Sequence, residues 1–213
     1  MSPDEANAQK EIFKFLQDTK SIYGMCKKYS ILIEEILPKH KAPIHAANEL
    51  KSLVFHLYNA AQFPDSIDIN ILEAKEHLCR AFYDLHSLIV SIYIEQIKVK
   101  LSAYKSGTIA NSFPEYGNTI RPAIKDIQES LQILRSNRNT DVDIINSNIN
   151  EFEQQVSSLA RFDDIIESRR PAMNEFEIKQ RKKGAINFAW GFLLLVIIAL
   201  LFMGLGYYLG TTK

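Results

Sequence analysis

Glycine is scarce in this 213-residue chain until its end: Gly24, Gly107 and Gly117 are the only ones before Gly184. The two-residue apolar alternation of half-buried strands is missing as well, so the chain has little material for sheet. Cysteine is limited to Cys26 and Cys79. Two are too few for a disulfide framework, and they lack the CxxC or Cys/His spacing of a zinc site, which fits a reducing cytosol. There is no HExxH, GxSxG or GxxxxGK[ST], the usual grounds for expecting a metalloprotease, a serine hydrolase or a phosphate loop. The expectation is therefore a protein that is not an enzyme, with no catalytic residue, metal ligand or cofactor. Net charge is absent too: 25 bases face 25 acids, so no bulk field selects nucleic acid or any other partner. The opening Met1-Ser2-Pro3-Asp4-Glu5 is acidic rather than basic and apolar, and no signal peptide is expected.

The most consequential absence lies at the other end. From Gly184 to Thr212 there is no Asp, Glu, Lys, Arg or His, and the centre runs from Phe192 to Phe202 through leucine, isoleucine, valine and alanine. A bilayer core takes about 20 apolar residues of helix to cross, and a lone helix satisfies its own backbone in lipid where a lone strand cannot. A transmembrane helix is expected over 185–209. Trp190 near one end and Tyr207 and Tyr208 near the other are suited to headgroup depth. Gly206 and Gly210, with Gly204 nearby, form a GxxxG that lets two such helices approach. Lys179, Arg181, Lys182 and Lys183 precede the span and only Lys213 follows it. The positive-inside bias then leaves the N-terminal part in the cytoplasm, in a single-pass protein of a membrane such as the bacterial inner membrane. The bases of 171–184 also suit anionic lipid heads.

Ahead of the tail, helical spacing dominates, and the fold class expected is all-α: a cytoplasmic helical bundle followed by one C-terminal transmembrane helix. A first helix is expected from Glu5 to about Leu37, ended by Pro38 and Pro43, and a second from Ile44 to Ala61. A third, from Ile67 to Tyr104, has apolar residues around so much of its girth that it should be central, packed on several sides. The N-terminal bundle thus covers 1–105, and 106–118 reads as loop. Beyond it, Thr119 can cap a helix with Pro122 in its first turn. Ile120, Ile124, Ile127 and Leu131, then Val142, Ile145, Ile149, Phe152, Val156 and Leu159, keep a 3-4 spacing. This marks 119–170 as a hairpin or coiled-coil-like segment, with the seam read as packing within the chain and Pro171 as its end.

One polar constellation stands out. Glu49-Leu50-Lys51 and His56 lie on the second helix, and Glu76-His77, Arg80, Tyr83 and Asp84 lie on the third. His77, Arg80 and Asp84 are three or four apart and share a face. Two readings stay open. Lys51, His56, His77, Arg80, Tyr83 and Asp84 could receive an anion such as a phosphate, with Tyr83 as a stacking ring. Alternatively the group is an interhelix network that fixes packing. His40 and His45 sit around prolines, as exposed loop histidines do, and the spacing from Arg80 to His86 is one residue too long for the RxxxxH of small helical RNases.

The run Glu49-Leu50, His56-Leu57, Ala60, then Ala74, His77-Leu78, Arg80-Ala81 and Tyr83-Asp84 resembles the membrane-effector half of two-gene bacterial anti-phage systems, nearest to the channel-forming effector of the Hailong type. The resemblance implies a homo-oligomeric ion channel of antiviral defence. It also implies gating through the cytoplasmic domain by a nucleotide or DNA-oligomer ligand and a companion nucleotidyltransferase. The other expectation is a passive tail-anchored scaffold that recruits a cytoplasmic partner. Both require the anchor. The full-length chain should therefore stay with membranes through high-salt and alkaline washing, whereas a chain ending at Ile178 should be soluble and helical. Full-length protein in the wash supernatant would refute the span.

Overall fold

The computed structural model describes the backbone of residues 3–36, 43–136 and 141–211, with side chains over 5–36, 43–136 and 141–200. Among the described residues there is no strand. Seven α-helices follow one another: α1 (Pro3–Asp18), α2 (Lys20–Ile36), α3 (Ile44–Gln62), α4 (Ile67–Ser102), α5 (Ser106–Ser112), α6 (Arg121–Ser136) and α7 (Val142–Thr211). The expected break at Pro38 lies outside the described residues, as do residues 137–140 between α6 and α7.

The 36-residue α4 is the axis of the head. Its apolar residues point several ways because α1, α2, α3, α6 and α7 all pack on it. Leu78, Phe82, Leu85, Ile89 and Ile97 are almost wholly buried. The short turn Pro64–Ser66 returns α3 antiparallel along the first half of α4, as a helical hairpin. Against α4 also lies the 3-4 seam of α7, with Val142, Ile145, Phe152, Val156, Leu159, Ile166 and Met173 buried. The seam therefore packs within the chain. Residues from both sides of 106–118 belong to one hydrophobic core.

The structure corrects four local expectations. The first helix is α1 and α2, meeting at Thr19, whose Oγ1 donates 2.7 Å to the Phe15 carbonyl already bound by its own N–H. Such back-bonding distorts a helix locally. The segment 106–118 is largely helical rather than loop, holding α5 and a π-helical turn over Tyr116–Ile120. Tertiary anchoring overrides its weak propensity: Phe113 is buried, and Thr108 Oγ1 lies 3.3 Å from Glu177 of α7. Thr119 is consequently no cap. The π turn, closed by Arg121 N–H on the Tyr116 carbonyl, runs straight into α6. It stands next to Pro122, which cannot donate and whose ring crowds the preceding turn.

Pro171 is the fourth. It lies inside α7, which continues for 70 residues. An interior proline costs about 3 kcal/mol, but contacts on both sides hold the helix in line. Ile166 and Met173 are fully buried, Lys100 Nζ donates to Asp163 at 2.8 Å, and Tyr104 Oη donates to Asn174 at 2.9 Å. Beyond Glu177, the last residue of α7 bonded to α5, the helix leaves the head. It is long and apolar enough to cross a membrane, and its most apolar stretch contains no buried residue among those described. Trp190, Phe192, Leu194 and Leu195 are all exposed. Gly204, Gly206, Tyr207, Tyr208 and Gly210 continue the helical backbone, but their side chains lie outside those described.

His86 sits at the centre of the head, fully buried among the rings of Tyr29, Phe82 and Phe152. Gln155 of α7 spends its amide N–H groups on Ser130 and Glu151, so its oxygen is left to accept from His86 Nε2–H at 3.1 Å. Burial drives the imidazole pKa down to about 4, against the opposing hydrogen bond from Gln155. The unfolded chain protonates this group near its ordinary 6.5. The neutral imidazole therefore contributes stability fully present above pH 6.5 and lost as pH falls towards about 4, on the order of 3 kcal/mol. Urea unfolding of the detergent-solubilised chain across that window should show a shallower pH dependence in His86→Leu than in the parent. Parallel profiles would show that His86 does not carry the linkage.

Candidate functional site

The α3–α4 hairpin brings the polar residues together on its flank. Glu49 and His56, two turns apart on α3, face Glu73, Glu76, His77 and Arg80 on α4, where spacings of three and four place all four on one side. Glu49 is the hub. Its Oε2 accepts from His77 Nδ1–H at 2.8 Å and from Arg80 Nε at 2.9 Å, while Arg80 Nη1 reaches Glu76 at 3.1 Å. Burial opposes ionisation of Glu49, but the hydrogen bonds from Arg80 and His77 outweigh it and hold the carboxyl below its usual range. Arg80 Nη2 also lies 3.0 Å from His77 Nδ1. The shorter, charge-assisted contact to the carboxylate assigns the proton to Nδ1.

His56 is oriented in the same way. Asn70 gives both amide hydrogens to Ser66, at 2.9 Å to its carbonyl and 3.0 Å to its hydroxyl. The Asn70 oxygen is therefore the acceptor for His56 Nδ1–H at 3.2 Å. The His56 and His77 rings stack at 5.2 Å between centroids and 22° between planes. Glu73, one turn before His77, brings a third donor atom, and one such atom from each of His56, Glu73 and His77 lies within 4.8 Å of the others.

Of the six residues singled out in the sequence, the structure gathers His56, His77 and Arg80. Lys51 is exposed and has no hydrogen bond or ion pair among the described residues. Tyr83 is buried against Phe82, so its ring is not offered for stacking. Asp84 lines a separate cleft of about 590 Å³ with His45, Ser87 and Arg135. Glu49, quoted without a role, proves to be the hub, and Glu73 was missed although its spacing to His77 was legible. The juxtamembrane bases are partly spent: Lys179 pairs with Glu175 at 2.6 Å and Arg181 with Glu177 at 3.5 Å. Lys182 and Lys183, nearest the apolar run, have no such partner among the described residues.

Comparison with family models, curated proteins and solved structures gave no match to this chain.

The cluster is in part the interhelix network that packing requires, because Arg80 is neutralised by carboxylates from two helices. A double-mutant cycle of Glu49→Gln and Arg80→Met should return a coupling of about 1 kcal/mol, the range for a half-buried, charge-assisted pair. Additive effects would mean that the pair contributes nothing to holding α3 on α4.

Proposed function

We propose that the protein is a single-pass membrane effector whose N-terminal head lies in the cytoplasm and governs the state of the span by self-association. The supporting observation is the continuity of α7. One unbroken helix carries Val142 to Met173 in the core of the head and the uncovered apolar surface from Ala185 to Leu200. A head joined to its anchor by a flexible linker could reorient without consequence for the membrane. Here, head and span share one axis, so bringing heads together brings spans together in a set orientation. A single helix cannot enclose a conduit, and several chains are needed to open or disrupt a bilayer. A pore lined by these residues would be apolar and gate by dewetting. Of the cations singled out for a nucleotide or DNA-oligomer trigger, Arg80 is spent on Glu49 and Glu76 and only Lys51 is unpaired among the described residues. The head's own association is the simpler trigger.

A second reading, the tail-anchored scaffold, is favoured by apolar residues exposed on the same hairpin. Val54, Phe55 and Tyr58 on α3 and Ile69 and Leu72 on α4 are each more than half exposed, as protein-binding surfaces are. The two readings part on membrane potential. Full-length chain overproduced in bacteria should depolarise the cell and purify in detergent as an oligomer. A flexible Gly-Ser insertion between Met173 and Lys179 should keep membrane localisation while abolishing depolarisation. Lasting polarisation together with a monomeric mass would leave the scaffold.

A further inference from the structure

We propose that His56, Glu73 and His77 form a binding site for one divalent transition-metal ion, with zinc as the ion the donors suit, clamping α3 to α4. Two imidazoles and one carboxylate are the donor set that borderline ions of this class accept. Donors around a tetrahedral zinc lie about 2.0–2.2 Å from the ion, which separates them from one another by about 3.4 Å. The three donor atoms already fall within 4.8 Å of one another. Coordination requires these atoms to close in from that separation.

The orientation of both rings carries the proposal further than proximity does. A metal-binding histidine ordinarily donates its other ring N–H to an oxygen, which fixes the tautomer and strengthens the remaining nitrogen as a ligand. His77 donates from Nδ1 to the Glu49 carboxylate, and His56 donates from Nδ1 to the Asn70 amide oxygen. In this tautomer Nε2 is the remaining ligand nitrogen of each ring. A network built only for packing has no need to orient two imidazoles alike. Glu73, in turn, is half-buried and has no hydrogen bond or ion pair among the described residues. A carboxylate beside two imidazoles completes a donor set that a cation can occupy.

Charge agrees. Glu49, Glu73 and Glu76 face the single guanidinium of Arg80, and a dication offsets the remaining excess of acid. Three protein donors leave a fourth position for water or for a group on another molecule, unlike the closed, four-ligand sites of zinc fingers. The ligands come from two helices joined by a tight turn, so the ion binds the folded hairpin and not the unfolded chain, and it stabilises the head by mass action.

The test uses full-length protein in detergent, stripped with chelator and titrated with zinc sulfate by calorimetry, with cobalt(II) absorption as a spectroscopic report. The expected result is about one ion per chain, a rise in melting temperature with zinc, and visible cobalt bands of tetrahedral type. His56→Ala and Glu73→Gln should each weaken binding by more than tenfold. Glu49→Gln, which removes the carboxylate that orients His77 and also pairs with Arg80, should weaken it by about 10–100-fold. His77→Ala also disturbs the Arg80 network, so Glu73→Gln is the decisive variant: it keeps side-chain volume and loses no protein partner. His45→Ala, an exposed histidine outside the cluster, should bind as the parent does. The proposal is overturned if the parent takes up no zinc at micromolar concentration, if Glu73→Gln binds as tightly as the parent, or if His45→Ala weakens binding as much as His56→Ala.

Discussion

An uncovered apolar helix can project from a helical body only if its other half is buried firmly enough to fix it, and that role falls to the seam where α7 meets α4. Isolated helices owe little of their stability to propensity and most of it to the packing of one face. The seam supplies this at each turn from Val142 to Leu159, and again at Ile166 and Met173. Polar ties reinforce it at both ends of the head. Asn146 donates to the Asp18 carbonyl at the α1–α2 junction, and Lys28 pairs with Glu153. Thr108 and Tyr104 hold the helix where it departs. The projection of the apolar helix, its continuity through Pro171 and the burial of His86 beside Gln155 all depend on this docking.

What the sequence made legible follows from how local each signal is. The 3-4 spacing of Ile145, Phe152 and Leu159 needs only a periodicity, and the burial of these residues agrees with it. The charge-free tail needs only composition. Pro171 was misread because a proline rule sees one lost hydrogen bond and not the buried side chains that flank it. The segment 106–118 was misread for a related reason, since nothing in Ser106-Gly107-Thr108 announces that Glu177 will lie against Thr108. Thr119 looked like a cap only while the turn before it was taken for loop.

The site divides in the same way. His77 and Arg80 share a face by simple helical spacing, and the pairing of α3 with α4 through a short turn put His56 within reach. Glu73 precedes His77 by one turn and was equally legible, but an Ex₃H pair means little without a second histidine from another helix. Tyr83 is expected as a stacking ring from its aromatic type alone, yet it is buried in the core beside Phe82. His86 could not be read at all, because its partner Gln155 is 69 residues away and the rings around it come from α2, α4 and α7. The thiols of Cys26 and Cys79 are buried, and burial pushes both up to about 12. Neither is suited to redox chemistry, in keeping with their lack of motif.

The unbroken course of α7 also sets an azimuth. Each residue of an α-helix turns the next by about 100°, so the stretch from Met173 to Ala185 fixes which side of the span lies beneath which side of the head. Lengthening that stretch by one residue would swing the membrane face by more than a quarter circle while raising the head by only about 1.5 Å. Adding seven, two near-complete turns, would restore the original aspect at a greater height. The juxtamembrane segment is therefore a dial as well as a spacer.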